Sequence, residues 1–159
     1  MPSVLFVCTG NQCRSPLAAA FFRKFLERDK SLIDWMVTSA GTWTRDGLSV
    51  SPFCMDLARA HGVDLSGHHT RSITSLPIKR FNVIVVMEQG QKEALVTEFQ
   101  EVRNKIFLLS TLAGRLPYDI KDPISQDAET ASEIIRDMRE CIEFAFARIC
   151  MAALDGKDN

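Results

Sequence analysis

Nowhere does this 159-residue chain hold an apolar run near the roughly 18 residues that a membrane span requires. Membrane insertion is therefore not expected. Charge of one sign is also lacking: 19 Lys and Arg stand against 20 Asp and Glu, for a net of -1. Such a balance offers nucleic acid no basic face. The N-terminal MPSVLFVC has no basic stretch ahead of its short apolar run. No signal peptide is read there, and the cytoplasm is the expected location. Internal repeats, low-complexity tracts and linkers are absent too. The chain reads as a single domain over residues 1–155 with a frayed tail at 156–159, long enough to bury a sizeable core.

The cysteines are few and odd in number: Cys8, Cys13, Cys54, Cys141 and Cys150, five in all. In a chain of this size that excludes a disulfide framework. No Cys/His pair at ligand spacing accompanies Cys8 and Cys13, so a zinc site is not expected. Cys54, Cys141 and Cys150 fall in apolar helical patterns, where cysteine is usually a small buried hydrophobe. Cys8 and Cys13 lie instead in a polar loop.

What is present alternates. Residues 4–7 are a short β-rich apolar run, consistent with a buried parallel strand. Ser15 reads as a helix N-cap and Pro16 as the first helical residue, with Leu17, Phe21, Phe22 and Phe25 following at helical spacing. Residues 35–39 read as a second strand. Ser51-Pro52 repeats the cap signature, and Gly62 stops the helix that it opens. Residues 81–87 form the clearest buried strand, followed by a helix over about 89–99. Residues 105–109 make a fourth strand. Ile134, Met138, Cys141, Ile142, Ala145, Ile149 and Ala153 lay out a long closing helix. This α/β alternation predicts a parallel sheet with helices on both faces, whose ligands bind beyond the carboxyl ends of the strands. Residues 110–126 are read as an irregular loop on that same rim, long enough to be functional.

The stretch VCTGNQCRSP, residues 7–16, ends the first strand and opens the first helix. A loop wrapped tightly there turns successive backbone N–H groups inward, which makes a nest for a tetrahedral oxyanion. Gly10 and Asn11 tolerate the left-handed backbone that such a wrap can require. Arg14 adds a planar fork able to hold two oxygens at once. Cys8 sits on the floor, where amides, helix dipole and guanidinium favour a thiolate nucleophile. Ser15 is placed to donate its hydroxyl to that thiolate. The bland alternative is a βα turn with an incidental cysteine; the strand before and the Ser-Pro helix start after it weigh against that.

These residues resemble the signature of the low-molecular-weight protein tyrosine phosphatases. The resemblance continues through TSAGT (38–42), HGVDLSGHHTR (61–71), VIVVMEQ (83–89) and Asp122-Pro123, and so spans nearly the whole chain in order. It implies a four-stranded parallel sheet with helices on both faces and a phosphate-binding loop after strand 1. The implied reaction is hydrolysis of phosphotyrosine in proteins, in two steps through a phosphocysteine and without a cofactor. Cys8 would attack phosphorus, and Thr9, Gly10, Asn11, Gln12, Cys13, Arg14 and Ser15 would form the phosphate-binding loop. Asn11, Ser39 and His68 match positions that brace it. Cys13 matches a second loop cysteine that can form a reversible, protective disulfide with the nucleophile. The implied partners are phosphorylated protein substrates, and inorganic phosphate or similar oxyanions.

A departing alkoxide needs a proton. The 110–126 segment and its edge offer Asp119, Asp122 and Asp127. Pro123 restricts Asp122 to an extended backbone, and a bound phosphate dianion would keep its carboxyl protonated until transfer. Asp122 is thus the expected general acid, as the resemblance also implies. Asp119 reads as a turn residue and Asp127 as the N-cap of the last helix. Trp43 is the expected substrate wall, against the alternative of a half-exposed surface tryptophan. His61, in the last turn of a helix, is expected to favour the dipole. His69 is expected to be solvated, and Arg71 to lie on the surface or brace the loop.

Two departures bear on substrate choice. Ile124 and Ser125 follow Asp-Pro where tyrosine-specific members commonly place an aromatic, and Tyr118 precedes the acid instead. Gln12 stands where tyrosine phosphatases usually carry an aliphatic residue and phosphoarginine phosphatases a threonine. Phosphotyrosine is the leading substrate, with phosphoarginine as the alternative. An arsenate reductase on this scaffold would need further cysteines near the third strand, and none lies between Cys54 and Cys141. A non-catalytic phosphate-binding or redox-sensing module would have no use for Asp122.

Overall fold

The computed structural model describes residues 1–32 and 34–156. Four parallel strands, β1 (Ser3–Cys8), β2 (Met36–Gly41), β3 (Val83–Val86) and β4 (Ile106–Leu108), form one sheet in the order β2-β1-β3-β4. Strand β1 is central, with Cys8 opposite Gly41 and Val7 opposite Val86. All six of its residues are buried, which explains why its sequence is a continuous apolar run and not an alternation.

Side chains alternate between the two faces of the sheet. Val4, Phe6 and Cys8 pack with α1 (Arg14–Leu26) and α5 (Ala128–Asp155), around Phe21, Phe22, Met138 and Ile142. Leu5 and Val7 pack on the opposite side with Ile73, Phe81, Leu95 and Val102. That side is covered by α3 (Gln89–Glu98) and short 3-10 turns. Helix α2 (Pro52–Ala60) is capped by Ser51, whose hydroxyl accepts from the Cys54 amide, and it ends at Gly62 with φ +75°. Asp127 caps α5 through the Thr130 amide. No helix among the described residues is long and apolar enough to cross a membrane. Of the expected tail, residues 157–159 lie outside the described residues.

Several local expectations are corrected. Helix α1 begins at Arg14, with Cys13 at the cap position and no side-chain cap bond. Ser15 does not cap it, because its hydroxyl is engaged with the cysteine loop. Strand β2 begins at Met36, not Trp35. Strands β3 and β4 are shorter at both ends than their apolar runs. The segment read as irregular opens in a helical turn, α4 (Leu109–Leu112), and later holds a 3-10 turn at Pro123–Ser125. Asp119 is no simple turn residue: its Oδ1 accepts the Gln89 amide at 2.8 Å and so ties this segment to the start of α3. His61 reaches Ser132 Oγ at 2.9 Å. Burial, followed by the charges of Arg136 and Arg139, lowers its pKa, so it is a neutral link between α2 and α5 and not a cation answering a dipole.

Candidate active site

Cys8 ends β1 at the carboxyl edge of the sheet and is 2% exposed. Its Sγ accepts the Asn11 backbone N–H at 3.3 Å and lies 3.0 Å from Ser15 Oγ. The loop can curl this tightly because Asn11 is left-handed, at φ 54°. For a residue with a Cβ that conformation costs about 1–2 kcal/mol. The asparagine side chain offsets the cost. Its Nδ2 donates to Ser15 Oγ at 2.8 Å and Ser39 Oγ at 2.9 Å, and its Oδ1 accepts the Arg71 amide at 2.8 Å. His68 Nε2 donates to the Asn11 carbonyl at 2.8 Å. A carbonyl only accepts, so the Nε2 proton is fixed. Burial first, then the charges of His69, Arg23 and Arg71, lower the His68 pKa and keep the ring neutral. Asn11, Ser39 and His68 thus meet at one turn, with the Arg71 backbone as a fourth support.

Ser15 is fully buried, and its hydroxyl has one proton to give. Ala40 O lies 3.3 Å away as a second acceptor. An ionised sulfur is the stronger partner for that proton, since charge-assisted bonds are roughly twice as strong as neutral ones.

Arg14 is 3% exposed. Its Nη1 donates to Glu88 Oε1 and to the Ile120 carbonyl, the latter at 2.7 Å. Every hydrogen bond it makes to the described residues uses that one nitrogen. No buried side-chain nitrogen or oxygen among them lacks a partner, so the Nε–Nη2 edge reaches solvent. One corner of the guanidinium is bolted down, and a two-donor edge is left open. Neither anchor was foreseen. Glu88 is 74 positions from Arg14 and carries no local cue, and a backbone carbonyl such as that of Ile120 leaves no trace in sequence. Gln91 was missed as well. It forms a capping box with Glu88, and its Nε2 donates to Thr9 Oγ1 at 3.1 Å. The Glu-x-x-Gln spacing at the start of α3 was the available signal.

Asp122 opens the 3-10 turn, its Oδ1 accepting the Ile124 amide at 3.0 Å while Pro123 is buried beneath. Beside the loop runs a groove of about 470 Å³, lined by Gly10, Gln12, Trp43, Thr44, Arg45 and Leu48. Trp43 stands at its rim, 86% exposed, with its amide donating to Thr9 O at 3.0 Å. Tyr118 faces elsewhere: its hydroxyl donates to Asp137 at 2.6 Å on α5. Cys141 is more than an apolar filler, since its Sγ lies 3.1 Å from that hydroxyl. No group of three or more His, Cys, Asp or Glu among the described residues could hold a metal.

The loop also leans on Gly41. A Cβ there would lie 2.6 Å from Thr9 O and 3.2 Å from Asn11 Cβ. Backbone cannot retreat as a side-chain tip can. Gly41→Ala should therefore cost about 1–3 kcal/mol. Chemical denaturation should show the loss alongside reduced activity; an unaltered midpoint would mean that the approach is not tight.

A thiol that accepts a loop amide at the carboxyl edge of a parallel sheet, with an arginine edge left open beside it, marks an α/β protein whose site has the donors to hold an oxyanion. The family model described as low molecular weight phosphotyrosine protein phosphatase matches residues 3–157, and the chain belongs to that family. It is 34% identical over 126 residues to the low molecular weight phosphotyrosine protein phosphatase of Sus scrofa, covering 76% of this chain and 78% of that one. It is 30% identical to a protein-arginine-phosphatase of Geobacillus stearothermophilus, covering 92% of each. The crystal structure of the low molecular weight protein tyrosine phosphatase from T. tengcongensis superposes with a TM-score of 0.82 at 28% identity, covering 93% of this chain and 99% of that one.

Proposed function

We propose that this single-domain chain hydrolyses phosphotyrosine in proteins, with Cys8 as nucleophile, Arg14 and the loop amides as phosphoryl ligands, and Asp122 as proton donor. In the first step the Cys8 thiolate attacks phosphorus while Asp122 protonates the departing phenolic oxygen. In the second, Asp122, now ionised, takes a proton from water, which displaces the cysteine and releases phosphate. The Asn11 amide on Cys8 Sγ, together with the open edge of Arg14, carries this reading.

Depth favours an aryl substrate. Cys8 lies on the floor of its cup, 2% exposed, so a long rigid side chain reaches it and phosphoserine does not. Trp43 at the groove rim offers a face for the phenyl ring. A second reading, protein phosphoarginine, is supported by the arginine phosphatase relative and by the polar Gln12 at the groove. Arg45 in the same lining opposes it, because a substrate guanidinium would meet a like charge. Turnover on matched phosphotyrosine, phosphoarginine and phosphoserine peptides decides. Phosphotyrosine should be fastest and phosphoserine slowest; preference for phosphoarginine would transfer the assignment.

A further inference from the structure

A second cavity, of about 410 Å³, opens between α1, β2 and the 64–71 loop, and it shares no lining residue with the groove at Trp43. That size falls at the lower end of the roughly 300–1,000 Å³ of small-ligand sites. One face of α1 forms a wall, since Pro16, Ala19, Ala20 and Arg23 recur at helical spacing. The two alanines leave open the space that larger side chains would fill.

The lining is rich in donors. Arg23 Nη2 donates to the Val37 carbonyl at 2.6 Å, which fixes the guanidinium at the edge of β2 and leaves its other nitrogens uncommitted. Arg71 gives its amide to Asn11 and its guanidinium, which pairs with no described carboxylate, to the cavity. Asp64, the one carboxylate in the lining, is exposed, and its Oδ1 accepts the Ser66 amide at 2.9 Å. Two guanidinium groups against one carboxylate favour an anion. Ser39 points the same way. It is 6% exposed and lines the cavity. Its oxygen accepts Asn11 Nδ2 at 2.9 Å, but no described acceptor takes its own proton. A hydroxyl has one proton to donate, and a buried donor left unmet is costly.

We propose that this cavity is a second oxyanion site, which takes the phosphate group of orthophosphate or of a small phosphate ester and accepts a hydrogen bond from the Ser39 hydroxyl. The occupant is linked to the catalytic loop through that one side chain. A hydroxyl that donates to an anion becomes a stronger acceptor, so the Asn11 side chain is gripped harder. His68, which holds the Asn11 carbonyl, lines the same cavity. The site thus touches two side-chain braces of the Asn11 turn.

It does not depend on Cys8 being a nucleophile, so binding is measured apart from turnover. Orthophosphate is titrated into the full chain while backbone and side-chain amide NMR signals are followed. Two sets of shifts should appear, one over residues 9–15 and the other over Arg23, Ser39 and residues 67–69, with the Asn11 side-chain amide responding to both. Arg23→Gln should weaken the second set about tenfold. Ala20→Leu, which fills the cavity without a change of charge, should abolish it. Both variants should leave the first set intact. Glucose 6-phosphate, titrated in the same way, separates the two sources: tighter binding than orthophosphate at the second set assigns a phosphate ester, and weaker binding assigns the free ion. Shifts confined to residues 9–15, or a second set that either variant leaves unchanged, would overturn the site.

Discussion

Arg14→Lys should lower kcat/KM for an aryl phosphate by roughly 10²–10³-fold, although the charge is kept. The reason lies in how the guanidinium is divided. Nη1 is consumed by Glu88 and the Ile120 carbonyl, while Nε and Nη2 form a free edge. A planar group can be anchored at one corner and bind two oxygens with the other side. An ammonium is a single point, and here it would be drawn to Glu88, leaving the phosphoryl oxygens without their fork. Inhibition by orthophosphate should weaken in parallel, because the product offers the same oxygens. A loss below tenfold in kcat/KM would show that charge suffices and that the two-oxygen grip is not used.

Asp122→Ala should reduce kcat by roughly 10²–10³-fold on substrates with poor leaving groups, and much less on p-nitrophenyl phosphate. Only a proton donor makes the penalty depend on the basicity of the departing oxygen. The side chain has a second task, since Oδ1 caps the 3-10 turn through the Ile124 amide. Asp122→Asn separates the two: it keeps the cap oxygen and removes the acid. If the two variants show the same leaving-group dependence, the carboxylic acid is responsible. Equal slowing of good and poor leaving groups would remove Asp122 from the acid role.

The strands were legible because their residues are buried on both faces, so unbroken apolar runs mark them. Cys8, Arg14 and the Asn11 turn were legible because the loop is continuous in sequence. The Ser-Pro signature succeeded at Ser51 and failed at Ser15 for a physical reason. Both serines precede proline at a helix start, but only Ser51 is free to face an orphan amide. Ser15 is claimed by Cys8 and Asn11 within its own loop and by Ala40 across the sheet. Glu88 escaped notice in the same way, and Cys141 was read as filler because helical periodicity describes a residue's face and not its neighbour.

The supports of the cysteine loop come from Ser39, His68, Arg71, Glu88 and Ile120, and so from most of the length of the chain. The cup is consequently a property of the whole native state, and no fragment of the sequence can contain it. Occupancy and global unfolding are thermodynamically linked: an oxyanion that settles there is lost when the domain opens, so the folded state gains stability in step with the oxyanion concentration.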